Sequence, residues 1–458
     1  MRDVDVIVDT VRSYDRGEIV AFVERVFTQF EDRLAPAMAR GDKALVVVKP
    51  NWLCENHLAR PESWISVITH PLVVVAVVEC LAARMNGCGT ICVCDAPTTQ
   101  ADFERVIARG QLMVLLDELR QRYPRLRLEV IDLRREVWVM REGVVVERRV
   151  NKPDPRGYVA VNLGRDSMFF GHRGEGRYYG ADYDRQVIHA HHQGDLHEYL
   201  LSGSAMACDL FVNLPKIKTH KKTGLTCCLK NLVGINGDKN WLPHHTEGSW
   251  DSGGDEFPPS RRWARIEGWG RRVGQEIALK IPWVGSFVYR KMRKLGTRTL
   301  GDSERIIRAG NWYGNDTCWR MVLDLNRALL YGNQDGSCRN DAPRPYLAVA
   351  DGIVAGEGNG PACPDEIGSH FLLGCAEPAA GDLVACRLMG FDPAKVPVVH
   401  HAFAPHRWPL GSRRARDITV LDLREGRVAT IESLSPGVPF RPHFGWGGLS
   451  LVASRALR

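Results

Sequence analysis

The stretch DLFVNLPKIKTHKKTGLTCCLKNLVGINGDKNW, from Asp209 to Trp241, decides the fold. It opens with a short apolar run, Asp209–Asn213, of the kind that a strand buried on both faces requires. It continues as Leu214-Pro215-Lys216-Ile217-Lys218-Thr219-His220 and then as a helical pattern, Thr223–Val233. A buried strand that runs into polar residues and then into a helix is one unit of a parallel α/β sheet. In such sheets ligands bind in the crevice outside the carboxyl ends of the strands.

Working outward, the same signature recurs. Ala44–Val48 runs into Lys49-Pro50-Asn51, Thr90–Cys94 into Asp95-Ala96-Pro97, and Tyr346–Ala350 into Asp351-Gly352. Leu128–Leu133, His370–Leu373 and Ile418–Leu423 are further apolar runs. Helical patterns fall at Pro71–Met85, with proline in its first turn and Asn86-Gly87 as a stop, and at Ala101–Arg122. Asp382 opens a further helical pattern, Asp382–Met389, where its charge suits a helix N-terminus. The expected fold is α/β, a mostly parallel sheet with flanking helices and a basic, aromatic-rich insertion. Residues 1–250 form the first part of the core, 251–314 the insertion or lid, and 315–458 the second part with a C-terminal tail.

The chain has 458 residues, 44% hydrophobic and 25% charged, which is a globular composition. No run reaches the ~20 apolar residues that span a bilayer, and the start lacks the apolar core of a signal peptide. A cytoplasmic protein is expected, peripheral to a membrane at most. Thirteen cysteines are scattered without a single CxxC, so there is no local ferredoxin-type iron–sulfur motif and no zinc ribbon. Reduced thiols are expected. Between Arg261 and Arg298 eleven Lys and Arg face only Glu267 and Glu276, a surplus that exceeds the net charge of +7 for the whole chain. Basicity is therefore local. With Trp269, Trp283, Phe287 and Tyr289 among the cations, this segment suits an anionic membrane surface. Nucleic acid is not an expected partner, since no recognised module accompanies the charge.

Lys216, Lys218, Lys221, Lys222, Lys230 and Lys239 supply six cations against one acid, Asp238, across Asn213–His245. Such a segment beside a helix start, with Thr219 or Thr223 as cap, is an anion site. GxxxxGK[ST] is absent, so ATP hydrolysis is not indicated. Lys49, Asn51, Lys216, Lys218, Lys230 and Asn231 are the expected ligands of a phosphate or carboxylate. His220 sits among the lysines, whose charge favours its neutral form, and is the expected acid or base. Asp95, at a strand end, and Glu357, in the glycine-rich turn DGIVAGEGNGPAC (Asp351–Cys363), are its expected counterparts. His189, His191, His192 and His197 cluster in HAHHQGDLH. Of these, His191 and His192 are the expected ligands if a divalent transition metal is the cofactor.

The motifs KPNW (Lys49–Trp52), THP (Thr69–Pro71), DLFVNLPKIKTH (Asp209–His220), TGLTCCLKNLVGINGDK (Thr223–Lys239) and DGIVAGEGNGP (Asp351–Pro361) occur in order, followed by LMGFDP (Leu388–Pro393). Together they resemble domain-of-unknown-function family 362. The resemblance implies a fold neighbourhood and no reaction. Some members of that family carry ferredoxin-like modules, which this sequence lacks. The THP and lysine segments also distantly resemble the nickel-pincer lactate racemases, whose histidine acid–base pairs put His220 and Lys216 or Lys218 first for testing.

Three functions follow. The first is an enzyme acting on an anionic, phosphorylated or carboxylated small molecule by isomerisation, epimerisation or group transfer. The second is a metal- or iron–sulfur-associated redox protein using histidines and dispersed cysteines. The third is a peripheral membrane or interaction protein using residues 261–298.

Overall fold

The computed structural model describes residues 4–141, 144–182, 184–259 and 307–451. The basic segment 261–298, with its expected lid and membrane roles, lies outside them. Among the described residues the central sheet has eleven strands. They are β1 (Val6–Thr10), β2 (Leu45–Pro50), β3 (Thr90–Asp95), β4 (Arg127–Asp132), β5 (Leu210–Leu214), β6 (Lys216–His220), β7 (Gly224–Thr226), β8 (Tyr346–Asn359), β9 (Cys363–Cys375), β10 (Thr419–Asp422) and β11 (Arg427–Thr430). Their order is β11-β10-β1-β9-β8-β5-β2-β3-β4, with β6 beside β8 and β7. The run β8-β5-β2-β3-β4 is parallel throughout, and β9 is antiparallel to both β8 and β1. The fold is α/β with a mostly parallel sheet, as the sequence indicates.

Alternation along the parallel strands explains their continuous apolar character. Val46, Val48, Ile91, Val93, Leu210, Val212, Leu347 and Val349 enter one core. There they meet Ile19, Phe22 and Val26 of α1 (Arg16–Gln29) and Val74, Val77 and Val78 of α2 (Pro71–Arg84). The intervening residues, Val47, Cys92, Cys94, Phe211, Ala348 and Ala350, enter a second core on the opposite face. Both faces are buried, so the period-two signal vanishes from the hydropathy pattern.

Three local expectations change. The helical pattern Ala101–Arg122 splits into α3 (Phe103–Ala108) and α4 (Leu112–Arg122), because Gly110 and Gln111 adopt φ values of 53° and 58°. Gly110 packs against Pro71, where a Cβ would come within 2.8 Å of the proline ring. The pattern Thr223–Val233 begins as strand β7, turned back on β6 through Gly224 at φ 85°, and its α-helix is only Cys228–Asn231, α5, which runs on into a 3-10 turn at Leu232–Ile235. Thr219 and Thr223 therefore cap no helix; their hydroxyls donate to the Gly358 and Leu225 carbonyls. The glycine-rich turn is instead the far half of β8, paired with β9 out to Asn359 and Cys363. Two later helices, α6 (Cys318–Tyr331) and α7 (Pro378–Leu388), cover the second core. Asp382 lies inside α7, fully buried, not at its start.

Candidate functional site

At the carboxyl ends of β2, β3 and β6 lies a cavity of about 430 Å³, large enough for a small metabolite. Among the described residues, six lysines line it, Lys49, Lys218, Lys221, Lys222, Lys230 and Lys239, against the three carboxylates Glu55, Asp95 and Asp182. Trp138 and the segment Gly180–Asp182, from outside the central sheet, form the opposite wall.

Each buried lysine is placed by a different device. Lys49 and Asp95 stand at the ends of neighbouring parallel strands and form an ion pair at 2.8 Å. Lys49 also donates to the Pro50 carbonyl and to Asn231 Oδ1, and Asp95 accepts the Trp52 amide at 2.6 Å. Gly234 lies directly against this pair: a Cβ there would sit 1.8 Å from Asp95 Oδ1. Lys218 leaves β6 and donates to Asn51 Oδ1 at 2.8 Å and to the Val67 carbonyl. Lys239 donates to the carbonyls of Ala96 (2.9 Å) and Val233 (3.0 Å). Lys230, on α5, is 8% exposed and makes no hydrogen bond or ion pair with any described residue.

Donor counting shows what this leaves. An ammonium group has three N–H donors. Lys218 and Lys239 each spend two on neutral oxygens and Lys230 spends none, so the cavity wall presents unspent donors without a matching carboxylate. Burial drives all three amines toward neutrality, holding Lys218 down to about 7 and Lys239 to about 8, and lowering Lys230 as well. An anion among them would reverse this by supplying the missing counter-charge.

Asn51 and Asn231 belong to the frame beneath these amines. Asn231 Oδ1 accepts from Lys49 and from Asn51 Nδ2 (2.7 Å), and its own amide donates to Asn213 Oδ1 (2.7 Å). Asn213 in turn donates to the Tyr346 hydroxyl and the Cys228 carbonyl. The chain of amides fixes Lys49 and Lys218 from below.

Two histidines line the cavity with complementary tautomers. His220 Nδ1 accepts the amides of Lys222 (3.1 Å) and Thr223 (3.2 Å), so the neutral ring carries its proton on Nε2. His244 Nδ1 lies 2.8 Å from the Leu242 carbonyl, which can only accept, so His244 Nε2 keeps its lone pair. Burial, then the neighbouring lysines, hold both rings well below the usual histidine range and therefore neutral. The cavity thus meets an N–H donor from His220 and a proton acceptor from His244. The tautomer rule needs the backbone partner of each ring, which sequence alone does not provide.

Of the residues expected from the sequence, Lys49, Asn51, Asp95, Lys218, His220, Lys230 and Asn231 come together here. Lys216 does not. The register of β6 against β8 shifts between Lys216 and Lys218. Lys216 turns to a fully buried pair with Asp351 (2.9 Å), joined by the Tyr14 hydroxyl (2.8 Å). Glu357 is also elsewhere, accepting the Arg441 amide at 2.8 Å and pairing with its guanidinium. Asp95 is engaged by Lys49 and Trp52, not by His220.

His191 stacks on Trp241 (3.3 Å) and bonds Glu198. His192 is buried among Phe169, Tyr178 and Tyr199, with Nε2 on the Trp241 carbonyl. Neither belongs to a group of three metal-ligating side chains among the described residues.

A family model described as "Domain of unknown function (DUF362)" matches residues 124–387, more than half of the chain. The chain belongs to the DUF362 family. The matched span carries Lys218, His220, Lys230, Lys239 and His244, whereas Lys49 and Asp95 precede it. No curated protein matches this DUF362 chain. Among solved structures it is similar to a protein from Thermotoga maritima, at 10% identity and a TM-score of 0.30, over 73% of this chain and 50% of that one. It is also similar to the lactate racemase apoprotein from Thermoanaerobacterium thermosaccharolyticum, at 10% identity and a TM-score of 0.31, over 84% of this chain and 57% of that one. The DUF362 chain therefore spans only about half the length of either. Among its described residues no helix is long and apolar enough to cross a membrane.

Proposed function

We propose that this protein is an enzyme acting on an anionic small molecule, phosphorylated or carboxylated. The anionic group is held by Lys218, Lys230 and Lys239. His244 takes a proton from the substrate and His220 Nε2–H supports the oxygen on which charge develops. That pairing of an acceptor with a donor suits proton-transfer chemistry, isomerisation or epimerisation, better than group transfer. The basicity of His244 rises when the ligand's charge offsets the surrounding ammonium groups, so binding itself readies the base.

One observation carries the proposal: the amine of Lys230, on a side chain only 8% exposed and with no hydrogen-bond or ion-pair partner among the described residues, on the wall of a cavity whose described cations outnumber its described carboxylates. A buried charge with nothing to pair with is costly unless a ligand supplies the pair. The test is the melting temperature at neutral pH in rising inorganic phosphate, and then across a panel of phosphorylated and carboxylated metabolites. The native chain should be stabilised in a saturable way, and Lys230→Met should lose that response while folding normally. An identical phosphate response in the two proteins would overturn the assignment.

A further inference from the structure

Beneath α5, away from the lysine cavity, three thiols and one carboxylate are buried together. Cys227 and Cys228 lie at the junction of β7 and α5, Cys375 ends β9, and Asp382 lies within α7. All four are fully buried. The sulfurs of Cys227 and Cys228 are 3.8 Å apart, and those of Cys228 and Cys375 are 4.0 Å apart. Ligand atoms of Cys227, Cys228 and Asp382 all fall within 4.8 Å of one another.

Asp382 is the telling member. Its Oδ1 accepts the Leu229 amide at 3.1 Å, the Cys227 thiol and the Cys228 amide also lean on the carboxylate, and its buried Oδ2 is left without a well-formed hydrogen bond among the described residues. No cationic side chain among the described residues pairs with it. A carboxylate in such a place must stay protonated or find a cation, and the groups around it are thiols, which favour soft divalent ions. Gly381, one residue before, keeps the backbone bare at this spot. A Cβ there would lie 2.7 Å from the Cys375 sulfur and 2.9 Å from that of Cys228.

We propose that Cys227, Cys228 and Asp382 form a structural binding site for a thiophilic divalent metal of the zinc type, and that Cys375, 4.0 Å from Cys228 but outside that close group of three, moves in as the fourth ligand. With metal–sulfur bonds of ~2.3 Å, a tetrahedral site has sulfur–sulfur edges of about 3.8 Å; Cys227 and Cys228 stand at that separation, and Cys375 is 4.0 Å from Cys228. Binding releases the thiol protons to solvent as the metal–sulfur bonds form, with no change of oxidation state. The metal would tie the start of α5 to β9 and α7. Since α5 also carries Lys230 and Asn231, the site would brace the floor of the cavity from behind. The site rests on these four side chains and not on the proposed anion chemistry, so either can fail alone.

The test is cobalt titration of the full chain, reduced and freed of metal with a chelator. One equivalent should develop thiolate-to-cobalt charge transfer and the intense visible bands of a tetrahedral ion, and zinc should bleach them. Cys228→Ser should abolish the bands, and Cys338→Ser, a thiol outside the group, should keep them. X-ray absorption on the zinc-loaded native chain needs no variant and should show mainly sulfur ligation. Oxygen and nitrogen ligation alone, or bands that survive in Cys228→Ser, would overturn the proposal.

Discussion

Replacing Lys218 with Met should change how stability depends on pH, and in a direction fixed by burial. The Lys218 amine is fully buried and held from the ordinary 10.5 down to about 7. Below about pH 7 the folded protein holds the charged form in a place that disfavours it, so the cost is fully present there. As pH rises from about 7 toward 10, the folded state has released this proton while the unfolded chain still holds it. Stability therefore rises with pH across that window, by at most about 1.4 kcal/mol per pH unit. Integrated from about pH 7 to 9, Lys218 alone contributes a rise of about 2 kcal/mol. Other buried groups, thiols and tyrosines among them, titrate in the same range with the opposite sign. The informative quantity is thus the difference between the native chain and Lys218→Met. Methionine keeps the unbranched shape and removes the proton. It leaves Asn51 Oδ1 and the Val67 carbonyl without their donor, at a cost of about 1–3 kcal/mol that does not vary with pH. Urea unfolding at about pH 7, 8 and 9, in buffer without phosphate, gives the two slopes. The variant should lose about 2 kcal/mol of the rise, and added phosphate should flatten the native curve. Parallel curves would mean that the amine is hydrated or paired in solution, and the electrostatic account of the cavity would fall.

Two further outcomes separate the cavity from its neighbours. Lys216→Met leaves Asp351 charged and buried without its cation, so urea unfolding should show a loss of about 3–5 kcal/mol, while stabilisation by phosphate persists because Lys216 lies outside the cavity. Once a turned-over metabolite is known, His244→Gln should lower kcat by about 10²–10⁴-fold with anion affinity nearly unchanged, whereas an equal loss of binding would assign His244 to the anion and not to the proton.

The core strands were legible because buried parallel strands are short apolar runs, and because polar residues at their ends mark the ligand edge. Lys49, Asn51, Asp95, Lys218 and His220 follow from that one pattern, and Lys230 and Asn231 from the lysine-rich helical segment that comes after it. The exceptions depend on partners far away in the chain. Lys216 and Lys218 are two residues apart and look equivalent in sequence. A bulge and the distant Asp351 and Tyr14 send one into an ion pair and leave the other at the cavity. Glu357 is claimed by Arg441, 84 residues later. Lys239 was countable as a cation and His244 as a histidine. What selects them is Ala96, Val233 and the Leu242 carbonyl around them. Cys227-Cys228 stands out as an adjacent pair, but nothing local joins it to Cys375 or to Asp382, which the sequence places at a helix start.

Stability alone would not keep this arrangement. Replacing buried ionic groups with apolar residues of similar volume is often neutral or stabilising. Among the described residues, Lys218, Lys230 and Lys239 lack even the carboxylate that makes such burial tolerable. Lys49 and Lys216 show that the same fold can pair a buried amine when structure is the purpose. The unpaired three converge on one cavity, beside two neutral histidines with opposite hydrogen-bonding character. Local cost concentrated at one place, with compensation elsewhere in the fold, is the pattern of a functional site. The compensation these three amines lack among the described residues is a negative charge, and for that reason the ligand we propose for the site is an anion.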